Sequence, residues 1–303
     1  MSHTMSPFRY PGGKSQLYNF VDNLLTINKI NGTYIEPFAG GSGLAIKLLI
    51  KGRVNNIWIN DYDKSIYAVW YTILNTPQLL IDRINEVPFD YKDGSDNSDE
   101  FNLEYWEKIR KQYNTFKDLP TSIDNAFATL FLNRTNRSGI ITGGPVGGTK
   151  QNTKIYARFN KRTLIRKINL IYSFKDKINL TNLDATQMIP KIKSETDSSN
   201  TFIFFDPPYF NQGSNLYFSS FNYDDHKNMA KQIIDLKKYS WITTYDNVEE
   251  IKNLYSKSPK RFEYDIRYTA NNYKRGMAKE VMFSNKITKI KSFDKVILTK
   301  IKP

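Results

Sequence analysis

The stretch "FIFFDPPYF" (202–210) carries an apolar run straight into Asp206-Pro207-Pro208-Tyr209. The two prolines fix the backbone, and lacking an N–H they release their neighbours' carbonyls from any strand ladder. Asp206 then offers a carboxylate, Pro207 a carbonyl oxygen and Tyr209 a flat face, all where a strand ends. Two acceptors side by side suit an –NH₂ group on an aromatic ring, with the tyrosine stacked on that ring. A strand exit alone would explain the prolines, but not the aspartate and tyrosine with them.

A second stretch, "YIEPFAGGSGLAIKLL" (34–49), runs from a strand through Gly40-Gly41-Ser42-Gly43 into an apolar helix. Such a joint lets backbone N–H groups approach a ligand closely. The dinucleotide fingerprint is incomplete, because Ile46 fills its third glycine position, so a pyrophosphate is disfavoured. Further on, "NNIWIN" ends at Asp61, placed to accept hydrogen bonds from ribose hydroxyls. The pair suggests an adenosine-bearing ligand; a bare strand–helix connection is the alternative. A third stretch, "PFRYPGGKSQL" (7–17), has the closing half of a phosphate loop, but Phe8 stands where its first glycine belongs.

Composition narrows the chemistry. The 303 residues include no cysteine and two histidines, which excludes disulfides, thiolate zinc, a cysteine nucleophile and a histidine metal cluster, so no metal site is expected. Cytosine C5 methylation, which needs a cysteine, is excluded with them. With 44 basic against 30 acidic residues, net +14, the chain favours a polyanionic partner. No apolar run is long enough for a membrane span and no charged-then-apolar leader is present, so a cytoplasmic protein is expected.

The elements that must hold these residues alternate. "TYIEPF" (33–38), "NNIWIN" (55–60), "KINLTNL" (177–183), "TFIFF" (201–205) and "SWITTY" (240–245) read as buried strands. "SGLAIKLLIKG" (42–52), "KSIYAVWYTIL" (64–74) and "DDHKNMAKQIIDLKKY" (224–239) read as helices, while "KEVMFSN" and "FDKVILTKI" are candidate closing strands. Strand–helix alternation predicts an α/β fold with a mostly parallel sheet covered on both faces. The pattern turns helical between about 65 and 170, predicting an insertion at 65–169 within a sheet domain of 6–64 and 170–303.

In combination and order, Tyr10-Pro11-Gly12-Gly13-Lys14, Glu36-Pro37-Phe38-x-Gly-x-x-Gly43, Asp61 and Asp206-Pro-Pro-Tyr209 resemble the D12-class, Dam-type DNA adenine-N6 methyltransferases. "LNR" at 132–134 adds to the likeness, which spans roughly residues 7–285. The resemblance implies a Rossmann-like, class I S-adenosylmethionine-dependent sheet domain with a helical target-recognition insertion. It implies S-adenosylmethionine as cofactor, with Tyr10, Pro11, Gly12, Gly13 and Lys14 lining its pocket. Glu36, Pro37, Phe38, Ala39, Gly40, Gly41, Ser42 and Gly43 would form the pocket floor. Asp61 with Tyr62 would hold the ribose, Asp184 with Ala185 would lie near the adenine, and Asp206 would touch both cofactor and target base. Asp184 also reads as an ordinary helix N-cap.

The reaction implied is methyl transfer to the N6 amine of an adenine flipped out of duplex DNA, with Asp206, Pro207, Pro208 and Tyr209 catalytic. N4-cytosine methylation is the neighbouring alternative, for which a Ser-first motif is usual; a catalytically silent nucleic-acid-binding relative is another. Residues 133–167 hold nine Lys/Arg and no acid around Gly143-Gly144-Pro145-Val146-Gly147-Gly148, and read as a flexible segment that follows phosphates. Asn133, Arg134, Asn136, Arg137, Lys150, Asn152, Lys154, Arg158, Lys161 and Arg162 are its expected DNA contacts. The "TGGPVGG" loop differs from the Dam pattern, so a GATC target does not follow. A bacterial or mobile-element origin, a cognate restriction endonuclease, and a monomer or weak dimer complete the expectation.

Overall fold

In the computed structural model, which describes residues 4–9, 14–210, 221–268 and 276–301, the run Thr201–Phe205 is a strand buried at every position. It lies inside an eight-stranded sheet. In chain order the strands are β1 (Thr33–Glu36), β2 (Asn56–Asn60), β3 (Ile178–Thr181), β4 (Thr201–Phe205), β5 (Ser240–Asp246), β6 (Lys260–Tyr268), β7 (Gly276–Ser284) and β8 (Thr299–Lys300). Their spatial order is β3-β2-β1-β4-β5-β7-β6-β8. The first five are parallel, whereas β7, β6 and β8 close the sheet antiparallel.

By chain contacts the protein divides into two units, residues 14–62 with 177 onward, and residues 63–176 with 3–13. The first unit contains the sheet. Successive residues of a strand face opposite sides, so a strand apolar at every position needs cover on both. Ile35, Ile203 and Phe205 face a core with Met188, Ile189 and Ile192 of helix α8 (Ala185–Glu195) and Met229 and Ile233 of helix α9 (Tyr223–Ile234). Tyr34 and Phe202, one residue earlier in each strand, stack together with their rings parallel within 4°. The same unit carries helices α1 (Tyr18–Ile27), α2 (Gly43–Ile50) and α10 (Glu249–Leu254).

The second unit is helical: α3 (Lys64–Asn75), α4 (Pro77–Asn85), α5 (Asp99–Phe116), α6 (Ile123–Thr135) and α7 (Lys161–Tyr172). Starts are set by side-chain caps from Asp63, Ser98, Ser122 and Asn160, and by Pro77 at the first turn of α4. Every residue from Asn125 to Asn133 of α6 is buried, making it the centre of the unit. Around it Phe89, Tyr105, Phe127, Phe131 and Phe159 form one aromatic cluster.

The expected closing strand at "FDKVILTKI" is reduced to Thr299–Lys300. Asp294 sits at φ +52°, and a bridge between Phe293 and Val296 turns the chain back on itself, leaving Ile297 64% exposed. "KINLTNL" is an edge strand, not a fully buried one.

Candidate active site

Strand order turns back between β1 and β4, and ligands of open α/β sheets sit at such a switch point, beyond the carboxyl ends of the strands. β1 ends in Glu36 and β4 runs directly into Asp206, so two carboxylates leave neighbouring strands at that edge. The Glu36 carboxylate accepts from the Tyr34 hydroxyl at 3.2 Å, the Ser42 hydroxyl at 2.7 Å and the Ala45 backbone N–H in the first turn of α2. Ser42 has φ +43°, a left-handed conformation unusual for a side-chain-bearing residue, and its bond to Glu36 helps to hold it there.

The N-terminus of α2 is therefore met by the protein's own acid. A phosphate would face a buried carboxylate, whereas a ligand with positive charge would be attracted. Burial pushes Glu36 up to about 7; the Ser42 and Tyr34 hydrogen bonds act downward, and the Asp206 charge pushes up again.

The floor of the turn hangs on β2. Asn60, fully buried, donates its amide to the carbonyls of Pro37 and Leu183, both at 2.9 Å. Its side-chain oxygen accepts from the Leu183 N–H and the Thr181 hydroxyl. One amide thus ties the ends of three strands, a role that its position beside Asp61 did not announce. Asp61 accepts the Gly40 N–H at 2.7 Å, so one oxygen of the expected ribose ligand holds the glycine turn. Tyr62 is 62% exposed. Asp184 caps α8 through the Thr186 N–H at 2.8 Å, in keeping with the plainer reading of that residue, and Ala185 is buried in the core. Tyr10, Pro11, Gly12 and Gly13 lie outside the described residues.

Asp206 is held from two sides. Its Oδ1 accepts from the Thr244 hydroxyl at 2.9 Å and lies 3.2 Å from the Lys14 ammonium, and no described residue bonds Oδ2. Lys14 also lies 3.1 Å from Glu280 of β7 and bonds the Tyr209 hydroxyl. Glu280, 1% exposed, accepts from the hydroxyls of Tyr209 and Tyr264 as well. One cation and two carboxylates, with two phenols, therefore form a network behind the Asp-Pro-Pro-Tyr exit. Pro207 and Pro208 are buried, and the Phe210 N–H donates to Asp246 at 3.0 Å, which fixes where the exit leads.

Burial pushes the Asp206 carboxyl up to about 6; Lys14 pulls it down and Glu280 pushes it up, while the side chain stays 26% exposed. For Lys14, burial acts downward, but Asp206 and Glu280 outweigh it and hold the ammonium above its ordinary range. His226 packs against Phe210 and Phe221, and burial drives it down to about 4, so it is a neutral core ring. Sequence reasoning missed Glu280, Thr244 and Tyr264. The available signal was an acid, Glu280, near the start of "KEVMF", a run otherwise suited to a buried strand.

In the helical unit the basic segment is less flexible than expected. Asn136 donates its amide to the carbonyls of Ile140, Ile141 and Gly143 and accepts from the Trp106 indole at 2.8 Å. Asn133 clamps both the N–H and the carbonyl of Arg9 at 2.8 Å. Gln151 binds the Val146 and Gly148 carbonyls and the Ile155 N–H. Gly147 stands at φ +79°, and a Cβ there would lie 1.9 Å from the Thr153 carbonyl. These contacts correct the expectation for Asn133 and Asn136, whose amides are buried structural ties with nothing left for a base edge. Lys161 is turned onto the carbonyls of Asn85 and Val87, and Lys154 pairs with Asp99 at 2.5 Å. Arg134 donates to the Arg158 carbonyl, while Arg137, Lys150, Asn152, Arg158 and Arg162 are exposed.

A mostly parallel sheet, with an acid-bearing glycine turn and an Asp-Pro-Pro-Tyr exit at its switch point, defines an α/β fold of the open-sheet class. The family follows from comparison: the D12 class N6 adenine-specific DNA methyltransferase family matches residues 10–299, and the chain belongs to it. The Type II methyltransferase M.MjaIII of Methanocaldococcus jannaschii is 24% identical over 242 residues, 75% of this chain and 78% of its own length. Modification methylase StsI of Streptococcus sanguinis is 26% identical over 307 residues, covering 94% of this chain and 43% of the longer relative. Among solved structures, the rRNA methyltransferase AviRa of Streptomyces viridochromogenes aligns over 91% of this chain and 86% of its own, at 10% identity and a TM-score of 0.38. The chain is thus a site-specific DNA methyltransferase of the adenine-specific class, with DNA as substrate, and the family implies use of S-adenosylmethionine.

Proposed function

We propose that this chain methylates the N6 amine of an adenine extruded from duplex DNA, with Asp206, the Pro207 carbonyl and Tyr209 as the groups that meet the base. The observation that carries this reading is the orientation of Asp206: Lys14 and Thr244 occupy Oδ1, and Oδ2 has no partner among the described residues. The residues around Glu36 suit S-adenosylmethionine, because a buried acid at the helix N-terminus favours a cation and disfavours phosphate. Glu36 to Gly43, Asp61 and Lys14 would hold it. When bound, it supplies a methyl group on a sulfonium, electrophilic enough that no covalent enzyme intermediate is required.

The chain's own part is positioning and electrostatics. The adenine amine is delocalised into its ring, and hydrogen bonds from N6–H to Asp206 Oδ2 and the Pro207 carbonyl favour a tetrahedral nitrogen with its lone pair aimed at the methyl group. Tyr209, its hydroxyl tied to Lys14 and Glu280, presents a fixed ring for stacking. In the helical unit, which we take as the target-recognition region, Arg137, Lys150, Asn152, Arg158 and Arg162 are the contacts we propose for DNA. The similarity to a Type II methyltransferase and a modification methylase supports a cognate restriction endonuclease as partner, and DNA as substrate supports action in the cytoplasm. The test offers labelled S-adenosylmethionine with duplexes that contain or lack adenine. Label on adenine-containing duplex alone is the expected result, and equal label on both rejects the assignment.

A further inference from the structure

One row of side chains crosses the antiparallel side of the sheet and meets the Asp-Pro-Pro-Tyr exit. In register, Asp246 of β5 lies opposite Glu280 of β7, and Glu280 lies opposite Tyr264 of β6. Residues directly opposite share a face of the sheet, and Thr244, two positions before Asp246, shares it with them. Thr244 donates to Asp206 Oδ1 at 2.9 Å, Asp246 accepts the Phe210 N–H at 3.0 Å, and Glu280 Oε1 accepts the Tyr209 hydroxyl. Two adjacent strands thus hold the exit at Asp206, Tyr209 and Phe210.

Glu280 is the centre of the row and is almost wholly buried. Its oxygens are divided between two phenols: Oε1 takes the Tyr209 hydroxyl and Oε2 the Tyr264 hydroxyl. The Lys14 ammonium lies 3.1 Å from Oε1 and 3.4 Å from Oε2. A carboxylate can serve both phenols because each of its oxygens accepts, whereas an amide has one oxygen and would leave a phenol without its acceptor. Tyr264 is buried and braces Glu280 from β6, while Tyr209 is half-buried. Pinning its hydroxyl removes the swing of the Tyr209 ring about its side-chain torsions. Such control matters, since a misplacement of about 1 Å in a reacting complex costs on the order of 100-fold in rate.

We propose that Glu280, braced by Tyr264, is a positioning residue for methyl transfer: it fixes the Tyr209 ring relative to Asp206, so that a stacked base presents its amine to Asp206 Oδ2. The proposal rests on the adenine reading above and gives the β6–β7 hairpin a part which that reading did not contain. Glu280 acts through the Tyr209 hydroxyl, so its loss falls on the transfer step and not on binding.

The test is a double-mutant cycle of Glu280→Gln and Tyr209→Phe in the full chain, on plasmid DNA that the wild type methylates. Single-turnover transfer is measured at pH 8, where Asp206, pushed up only to about 6, is ionised, so a loss reports geometry and not titration. Dissociation constants for S-adenosylmethionine and for the plasmid are measured beside it. Each single substitution should slow transfer about 10- to 30-fold, with both dissociation constants within about threefold of wild type. The double variant should be no more than about twofold slower than the slower single one, because both substitutions remove the same bond. Tyr264→Phe deletes one hydroxyl and leaves Glu280 charged; it should slow transfer about threefold, and it replaces Glu280→Gln in the cycle if that variant does not fold. Unchanged transfer would overturn the proposal, as would losses that multiply in the double variant or that reside in either dissociation constant. A wild type that transfers no methyl group to any DNA rejects the adenine reading instead, and the proposal falls with it.

Discussion

The carboxyl edge of the sheet and the glycine-rich loop of the helical unit use polar side chains in opposite ways. At the sheet edge, Asp206 is oriented through one oxygen and keeps the other available. In the loop, Asn136 and Gln151 spend their amides on backbone groups that a glycine-rich turn would otherwise leave unpaired. The difference is one of charge. A neutral amide carries donor and acceptor together and can be buried at modest cost once both are matched, whereas a buried carboxylate needs a cation or several donors. Amides in a turn are therefore readily spent on the backbone, whereas an acid at a strand exit keeps an oxygen for something else.

The largest expected effect lies at the edge. Asp206→Ala should lower methyl transfer by on the order of 10³-fold or more while duplex binding persists, measured by single-turnover kinetics and a gel-shift titration. The loop should respond in stability. Asn136→Ala strands three carbonyls and an indole N–H, and should cost about 2–4 kcal/mol in denaturant unfolding, against less than about 0.5 kcal/mol for Asn152→Ala. Equal effects of the two substitutions would erase the distinction between tie and contact.

Glu36 tests whether the edge sacrifices stability for binding. Its pKa is raised in the fold from 4.5 to about 7, so its ionisation costs stability, which is full below 4.5 and lost as pH rises through 7. At pH 8, Glu36→Gln should therefore stabilise the free protein by up to about 3 kcal/mol while weakening binding of S-adenosylmethionine. The smallest effect is a shift of profile. As the proposed acceptor of N6–H, Asp206 acts in its ionised form, so kcat should fall as pH drops below about 6. Glu280 raises that value, and Glu280→Gln should move the acid limb to lower pH.

The parallel core of the fold was legible because "TFIFF" and "SWITTY" are too apolar for anything but strands covered on both faces, as β4 and β5 are. The place of Asp206 at the end of β4 was legible, because the apolar run breaks there at two prolines. Glu280 was not: it reaches Lys14 across 266 positions of sequence, and local pattern says nothing of such a partner. Asn60 and Asn136 escaped for a related reason, since an amide that binds carbonyls leaves no trace in periodicity. The turn at Asp294 was hidden by an apolar composition that suggested a strand where the chain doubles back.

The central claim is that the Asp206 edge receives an adenine amine. The direct measurement digests duplex DNA after incubation with the enzyme and S-adenosylmethionine, and identifies the methylated base by mass spectrometry beside an Asp206→Ala control. N6-methyladenine with wild type, and none with the variant, is the predicted result. N4-methylcytosine, or undiminished N6-methyladenine from the variant, would contradict it.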